Sequence, residues 1–312
     1  MAITAAMVKE LREMTGAGMM DCKKALTNTD GDMDAAVEFL RENGLAKAAK
    51  KAGRIAAEGL VAVAVSEDAK EAAIVEVNSE TDFVAKNDTF RTYVAEVADQ
   101  ALTTKAADIE GFLAEESKAE AGKTVKEALD GKIAVIGENL NIRRFAKVSA
   151  ADGFVASYIH AGGKIGVLVE VATDVVNDEI KEMARNVAMQ AAALKPQFTS
   201  RDEVDEAFIE HEKSILMAQI QNDPKEASKP EKVIQGMIQG RINKELKEFC
   251  LLDQVYVKAE DGKQSVAQYV AAVAKANNAD VKIKKFVRFE TGEGLEKKNE
   301  DFAAEVAAQM GK

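Results

Sequence analysis

The stretch that decides the fold occurs twice, as GLVAVAVSEDAKEAAIVEV at residues 59–77 and GFVASYIHAGGKIGVLVEV at residues 153–171. Each copy begins with glycine, ends in Val-Glu-Val and holds two runs rich in Val, Ile and Ala around a short hydrophilic segment. Runs of this kind, bounded by glycine or charge, predict two strands joined by a turn. We therefore predict one β-hairpin in each copy and two similar subdomains.

A second pair of similar segments follows the hairpins, at residues 124–145 and 265–286. Each begins with a hydroxyl residue and Val, which predicts a helix start. Each ends in an alternation of apolar and basic residues, IRRF at 142–145 and IKKF at 283–286. Such alternation is typical of a half-buried antiparallel strand. We predict an α+β fold with two small three-stranded antiparallel sheets.

The second half is longer, mainly through residues 195–250, which contain all three prolines. Two apolar patterns at helical spacing flank the segment from Pro224 to Pro230, and they predict an inserted antiparallel helical hairpin, or coiled coil, about 30 Å long. The outgoing seam is Val204, Phe208, His211, Ile215 and Ala218, and the returning stripe is Ile234, Ile238, Ile242, Leu246 and Phe249. His211 is predicted to pack within this seam rather than to bind a ligand.

Residues 4–44 predict a module of three short helices, with Thr4 as the first cap and Gly44 at the end of the third. A basic helical face follows at Lys47, Lys50, Lys51 and Arg54. Such a face is either a solvated linker or a docking surface for an acidic partner. After Gly294, the apolar spacing of Phe302, Val306 and Met310 predicts a C-terminal helical module.

These patterns predict five regions, which we order along the chain. They are an N-terminal module with its basic linker helix (1–55), a first core subdomain (56–150), a second core subdomain (151–194 and 251–292), the inserted hairpin (195–250) and a C-terminal module (293–312).

Composition excludes several classes of protein. The chain has 312 residues, 42 Lys and Arg against 53 Asp and Glu, and a net charge of −11, so its overall field repels nucleic acid. Aromatic residues are 5% and Trp is absent, which disfavours base stacking. Uncharged runs are too short to span a membrane, and no signal peptide is expected. The two cysteines lie far apart, which excludes a disulfide scaffold and makes the cytoplasm the expected compartment.

Motifs for catalysis are missing. Neither His160 nor His211 has a metal-binding context, and the closest imitation of a phosphate loop, at 117–124, has Ser117 in place of the first glycine. We therefore expect no metal and no cofactor, and the missing motifs disfavour an enzyme.

The loop TDFVAKN at residues 81–87 breaks the symmetry of the duplication, because the aligned positions of the second half are Val175, Val176 and Asn177. Asp82 fits a capping box with Ser79. Phe83 continues an apolar stripe with Phe90 at helical spacing, so spacing alone favours core packing for it.

Six stretches together resemble the bacterial elongation factor Ts family over nearly the whole chain. They are LREMTGAGMMDCKKAL (11–26), KAAKKAG (47–53), EVNSETDFVAKN (76–87), GENLNIRRF (137–145), GKIGVLV (163–169) and RFETGEGL (288–295). The resemblance implies a non-enzymatic guanine-nucleotide exchange factor for elongation factor Tu. It also implies a ubiquitin-associated-like N-terminal domain, two similar core subdomains, a projecting helical hairpin and a short C-terminal module.

The resemblance also implies roles for individual residues. Phe83 would insert between helices of elongation factor Tu, while Asp82 would disturb the groups that order its Mg²⁺. Thr81 and Val84 would shape the turn. Further contacts with the partner are implied for Met19, Met20 and His160.

Three other interpretations remain open at this point. One is a nucleic-acid-binding protein, for example an RNA-binding one, that uses the three-helix module and the basic face, although the net charge opposes direct binding to nucleic acid. Another is an adaptor that recruits peptides through the N-terminal module, and the third is a hydrolase or transferase without a recognisable motif.

Overall fold

The computed structural model describes residues 3–296. In chain order its elements are α1 (Ala5–Thr15), α2 (Met19–Asn28), α3 (Met33–Lys51), β1 (Glu58–Val65), β2 (Glu71–Ser79), α4 (Asp82–Ala85), α5 (Asp88–Thr103), α6 (Ile109–Ala114), α7 (Val125–Ile136), β3 (Asn141–Ser149), β4 (Phe154–His160), β5 (Ile165–Thr173), α8 (Asp178–Leu194), α9 (Glu206–Asn222), α10 (Pro224–Ala227), α11 (Glu231–Phe249), α12 (Val266–Ala276) and β6 (Val281–Glu290). The predicted α+β class is confirmed, with two three-stranded antiparallel sheets ordered β1-β2-β3 and β4-β5-β6.

The two sheets repeat each other in detail. The register of the ladder shifts at the Val-Glu-Val end of both copies. Gly59 and Gly153 occupy matching positions with φ of 128° and 105°. A Cβ there would lie 2.2 Å from the Val77 carbonyl oxygen in the first sheet and 2.1 Å from that of Val171 in the second. Glycine is therefore required at both positions, by its positive φ and by the close approach of the neighbouring strand.

The core has four layers, helix on sheet on sheet on helix. One cluster lies between the facing sheets and includes Val61, Ile74, Val155, Leu168 and Phe289. On the outer face of the first sheet, α5 and α7 cover a second cluster, and α8 and α12 cover the equivalent face of the second sheet. The central strand β2 is therefore buried on both faces, which agrees with its apolar run Ala72–Val75.

The N-terminal module packs α1, α2 and α3 around Leu11, Cys22 and Leu26. Thr4 caps α1 as predicted. The prediction that Gly44 ends the third helix is wrong, because α3 continues to Lys51. At Gly44 a Cβ would come within 3.3 Å of the Ala134 side chain on α7, so this glycine allows two helices to approach closely.

The inserted segment forms the predicted hairpin of α9 and α11. Its core is Leu216, Ile220, Ile238, Ile242, Leu246 and Cys250, which confirms the returning stripe. The outgoing seam is correct only at the base, where the Phe208 ring packs edge-on to Phe198 and Phe249. Further along α9 the buried side passes to Leu216 and Ile220, which leaves Ile215 and His211 exposed. The predicted packing of His211 is therefore wrong.

The proposed boundaries of the five regions stay a prediction. Of the predicted C-terminal module, Phe302, Val306 and Met310 lie outside the described residues. Among residues 3–296, no helix is long and apolar enough to cross a bilayer.

Candidate functional site

A short turn between β2 and α5 presents the most exposed aromatic side chain at the predicted site. Phe83 is 81% exposed and lies in the single helical turn α4. The Thr81 hydroxyl caps this turn by accepting the Val84 N–H at 3.3 Å. Val84 packs on the core of the first half, and Ala85 is buried. We call residues 81–85 the Phe83 turn, a segment anchored on the core that directs a phenyl ring to solvent.

This turn is an insertion relative to the second half. Helix α5 is capped by Asn87, and its counterpart α8 is capped by Asn177. Eight positions separate the end of β2 at Ser79 from Asn87, whereas four separate the end of β5 at Thr173 from Asn177. The first half thus has four additional residues, 8 − 4, and they correspond to one turn of helix. The ungapped alignment of the two copies missed this difference.

Two sequence-based interpretations of the loop are wrong. Phe83 does not pack in the core, since most of its surface is accessible. The cap of α4 is Thr81 rather than a box formed by Ser79 and Asp82. The Ser79 hydroxyl instead donates to the Thr81 carbonyl oxygen at 3.0 Å.

Asp82 carries a half-exposed carboxylate beside two lysines. Its Oδ2 accepts a hydrogen bond from Lys86 Nζ at 2.7 Å. This bond lowers the pKa of Asp82 below its usual value, and the charge of Lys164 acts in the same direction. Asp82 is therefore ionised at neutral pH. Because Lys164 belongs to the turn between β4 and β5, the second half approaches the Phe83 turn at this point.

His160 ends β4 at that same junction and is exposed. Its Nδ1 lies 3.0 Å from the Tyr158 hydroxyl, and the two rings are tilted at 5.9 Å between centroids. The following turn rests on β1, where the Gly163 carbonyl accepts the Val61 N–H at 2.7 Å. A Cβ at Gly163 would lie 2.8 Å from Leu60 Cδ2, so only glycine fits this contact without a shift.

Met19 and Met20 form the first turn of α2 on the N-terminal module and are 54% and 76% exposed. Cys22, about one turn further along α2, is fully buried. Burial raises the pKa of this thiol and that of Cys250, so neither is an activated nucleophile. Within residues 3–296, no group of three or more His, Cys, Asp or Glu side chains could hold a metal ion.

One residue at the site was missed by sequence reasoning. Glu138, in the loop between α7 and β3, accepts hydrogen bonds from the base of the Phe83 turn. The only signal was its place in the stretch GENLNIRRF at residues 137–145.

The family model for elongation factor TS matches residues 80–293. The chain belongs to the elongation factor Ts family. It is 54% identical over 308 residues to elongation factor Ts of Clostridioides difficile (strain 630), with 99% of both chains covered. It is 53% identical over 310 residues to elongation factor Ts of Clostridium botulinum (strain Eklund 17B / Type B), covering 99% of this chain and all of that one. The elongation factor Ts of Trichlorobacter lovleyi is 50% identical over 315 residues, with 100% of this chain and 99% of its own covered.

Membership of the elongation factor Ts family supports a role in translation elongation. The matched residues 80–293 contain the Phe83 turn and His160. Met19 and Met20 lie outside that match but inside the full-length similarity to the relatives.

Proposed function

We propose that this chain is the guanine-nucleotide exchange factor for elongation factor Tu in protein synthesis. It binds the GDP complex, disturbs the site of Mg²⁺ and phosphate, and promotes release of GDP so that GTP can bind. No covalent bond is made or broken, so the protein is not an enzyme, and its place of action is the cytoplasm. The observation that carries the proposal is the exposed Phe83 on its anchored turn.

The physical role of Phe83 follows from its surroundings. An exposed phenyl ring gains free energy when a partner removes it from water, about 1.5–3 kcal/mol for full burial. Because Thr81 and Ala85 hold the turn on the core, the backbone that carries the ring is already ordered, and little backbone entropy is lost on binding. In this proposal Phe83 inserts between helices of elongation factor Tu.

Asp82 and Val84 have different parts in the same turn. Asp82 is ionised and half-exposed, so it places negative charge where the partner's own groups order Mg²⁺. Mg²⁺ demands nearly octahedral oxygen coordination and is released when its ligands move. Val84 and the Thr81 hydroxyl maintain the shape of the turn.

Exchange requires unequal affinity for two states of the partner. A factor lowers GDP affinity only by binding the nucleotide-free form more tightly than the GDP-bound form. By reciprocity, nucleotide weakens binding of the factor by the same ratio, which makes exchange reversible. Met19 and Met20 supply an adaptable apolar contact on the partner's nucleotide domain, and His160 supplies a contact on another domain.

The test is release of fluorescent GDP from elongation factor Tu, with and without this protein. We expect release to accelerate with the concentration of the protein, and Phe83→Ala to reduce the acceleration. Val176→Ala is the matched control, because Val176 is 50% exposed and lies in the equivalent loop of the second half. No acceleration by the unaltered protein would refute the proposal. Tight, salt-dependent RNA binding in its place would favour the adaptor alternative.

A further inference from the structure

The stretch GENLNIRRF at residues 137–145 has no part in the exchange mechanism described above. Its second residue, Glu138, lies against the start of the Phe83 turn. One carboxylate oxygen, Oε2, accepts the backbone N–H groups of Glu80 and Thr81, each at 3.0 Å. The other oxygen, Oε1, accepts the Thr81 hydroxyl hydrogen at 2.6 Å.

These bonds determine how Thr81 caps the turn. A hydroxyl has one hydrogen to donate, and here the hydrogen goes to Glu138. The oxygen lone pairs of Thr81 are then free to accept the Val84 N–H. Hydrogen bonds to a carboxylate are roughly twice as strong as neutral ones. The Glu138 carboxylate therefore orients the cap on which the helical turn of Phe83 depends.

Glu138 is itself held in place by a reciprocal contact between the two loops. The Glu80 carboxylate accepts the Asn139 N–H at 2.6 Å. The Asn139 side-chain amide donates to the Arg54 carbonyl oxygen at 2.8 Å, and the Arg54 guanidinium donates to Glu80 at 3.3 Å. Each loop thus provides a carboxylate that accepts backbone N–H groups of the other loop. The Arg54 guanidinium lies beside the Glu80 carboxylate.

The duplication provides an internal comparison for these contacts. In the second half, the Asp174 carboxylate accepts the Asp280 N–H at 2.9 Å, which corresponds to the bond between Glu80 and Asn139. This part of the contact is therefore common to both halves. It belongs to the scaffold, because it is present whether or not a turn is inserted after the strand.

The contact made by Glu138 is not repeated. The aligned residue is Ala279, and Val175 stands in place of Thr81. Neither side chain can form the bond, and the second half also lacks the four additional residues of the first. Glu138 and its hydroxyl partner are thus present only where Phe83 is presented, which separates their role from that of the shared scaffold.

We propose that Glu138 is a positioning residue for nucleotide exchange, whose carboxylate holds the Phe83 turn in the conformation that presents Phe83 to the partner. This inference rests on the exchange function proposed above. Glu138 acts through Thr81 and not by contact with the nucleotide site of elongation factor Tu.

The first arm of the test uses the full-length protein without its partner. Glu138→Ala should accelerate hydrogen exchange of the Thr81 and Val84 amides about tenfold, since the Thr81 N–H loses its acceptor and the Thr81 hydroxyl is no longer oriented as the cap. The matched control is Ser265→Ala, which removes the capping box of α12 in the second half and leaves the Phe83 turn intact. The control should leave both amide exchange rates unchanged.

The second arm measures release of fluorescent GDP from elongation factor Tu. At a fixed, sub-saturating concentration of the factor, Glu138→Ala should lower the release rate about tenfold, because only a fraction of the protein has the competent turn. The double variant, Glu138→Ala with Phe83→Ala, should release GDP no more slowly than Phe83→Ala alone. Both changes remove the same contribution, which is the contact of the Phe83 ring with the partner. Glu138→Gln keeps the size of the side chain but replaces an acceptor oxygen with a donor, so its release rate should be intermediate.

The outcomes separate this inference from the proposed function. Slow release with Phe83→Ala but normal release with Glu138→Ala would overturn the role of Glu138 and leave the exchange function standing. Unchanged amide exchange in Glu138→Ala, or multiplicative defects in the double variant, would also overturn that role. Normal release with Phe83→Ala would instead refute the insertion mechanism, and amide exchange would still decide whether Glu138 holds the turn.

Discussion

Replacement of Phe83 by Ala separates a partner contact from a packing role. Because Phe83 is 81% exposed, its removal should change the free energy of unfolding by about 0.5 kcal/mol or less, as is usual at surface positions. Phe90, on the next helix, is fully buried in the first core cluster. Phe90→Ala should therefore cost about 3–5 kcal/mol and serves as the internal comparison.

The expected effect on exchange is much larger than the effect on stability. If burial of the phenyl ring against the partner contributes about 1.5–3 kcal/mol, its loss should slow GDP release roughly 10- to 100-fold. Stopped-flow fluorescence of labelled GDP measures the rate, and thermal unfolding of the same preparation measures stability. A Phe83→Ala protein that is several kcal/mol less stable, yet releases GDP normally once corrected for its folded fraction, would refute this reasoning.

Three further predictions concern the same turn and its scaffold. Asp82→Ala should slow GDP release, and the defect should shrink when Mg²⁺ is chelated, whereas an equal defect with and without Mg²⁺ would contradict its proposed role. Because the hydrogen bond from Lys86 lowers the pKa of Asp82, the stabilising ion pair is present above the unfolded pKa and is lost only as pH falls through the lower folded value. A carboxyl titration by NMR should therefore show Asp82 ionised throughout about pH 5–8. In chemical denaturation, Gly59→Ala should destabilise the fold by about 1–3 kcal/mol, because its Cβ would meet the Val77 carbonyl. Gly53→Ala is the control and should have little effect, because its Cβ would meet nothing within 4 Å.

The repeated architecture was predictable because its signals are local. Val-rich runs, charged turns and the alternating third strand indicated two similar sheets, and the structure confirms both. The aligned helix starts at Thr124 and Ser265 are both capping boxes, each formed with a residue three positions later. Capping and strand pairing between neighbours depend on a few residues close in sequence, so periodicity and spacing suffice to find them.

The exposure of Phe83 was not predictable from spacing. The stripe that joins Phe83 to Phe90 assumes one continuous helix, but α4 ends at Ala85 and α5 begins after a new cap at Asn87. The break changes the helical phase, which turns Phe83 outward while Phe90 stays buried. The break after Ala85 alters the phase, since four added residues alone are close to one full helical turn.

The sequence by itself determined the duplicated sheets, the inserted hairpin and the residues of the exposed turn, because these follow from the types and spacing of residues that are close in sequence. Only the tertiary structure decided which side of α9 is buried, why Gly44 lies within a helix, and which carboxylate holds the turn. Thr81 and Glu138 are 57 positions apart, and Gly44 meets Ala134 from a different module. Such contacts exist only after the layers have packed, since no local pattern encodes which distant backbone will approach.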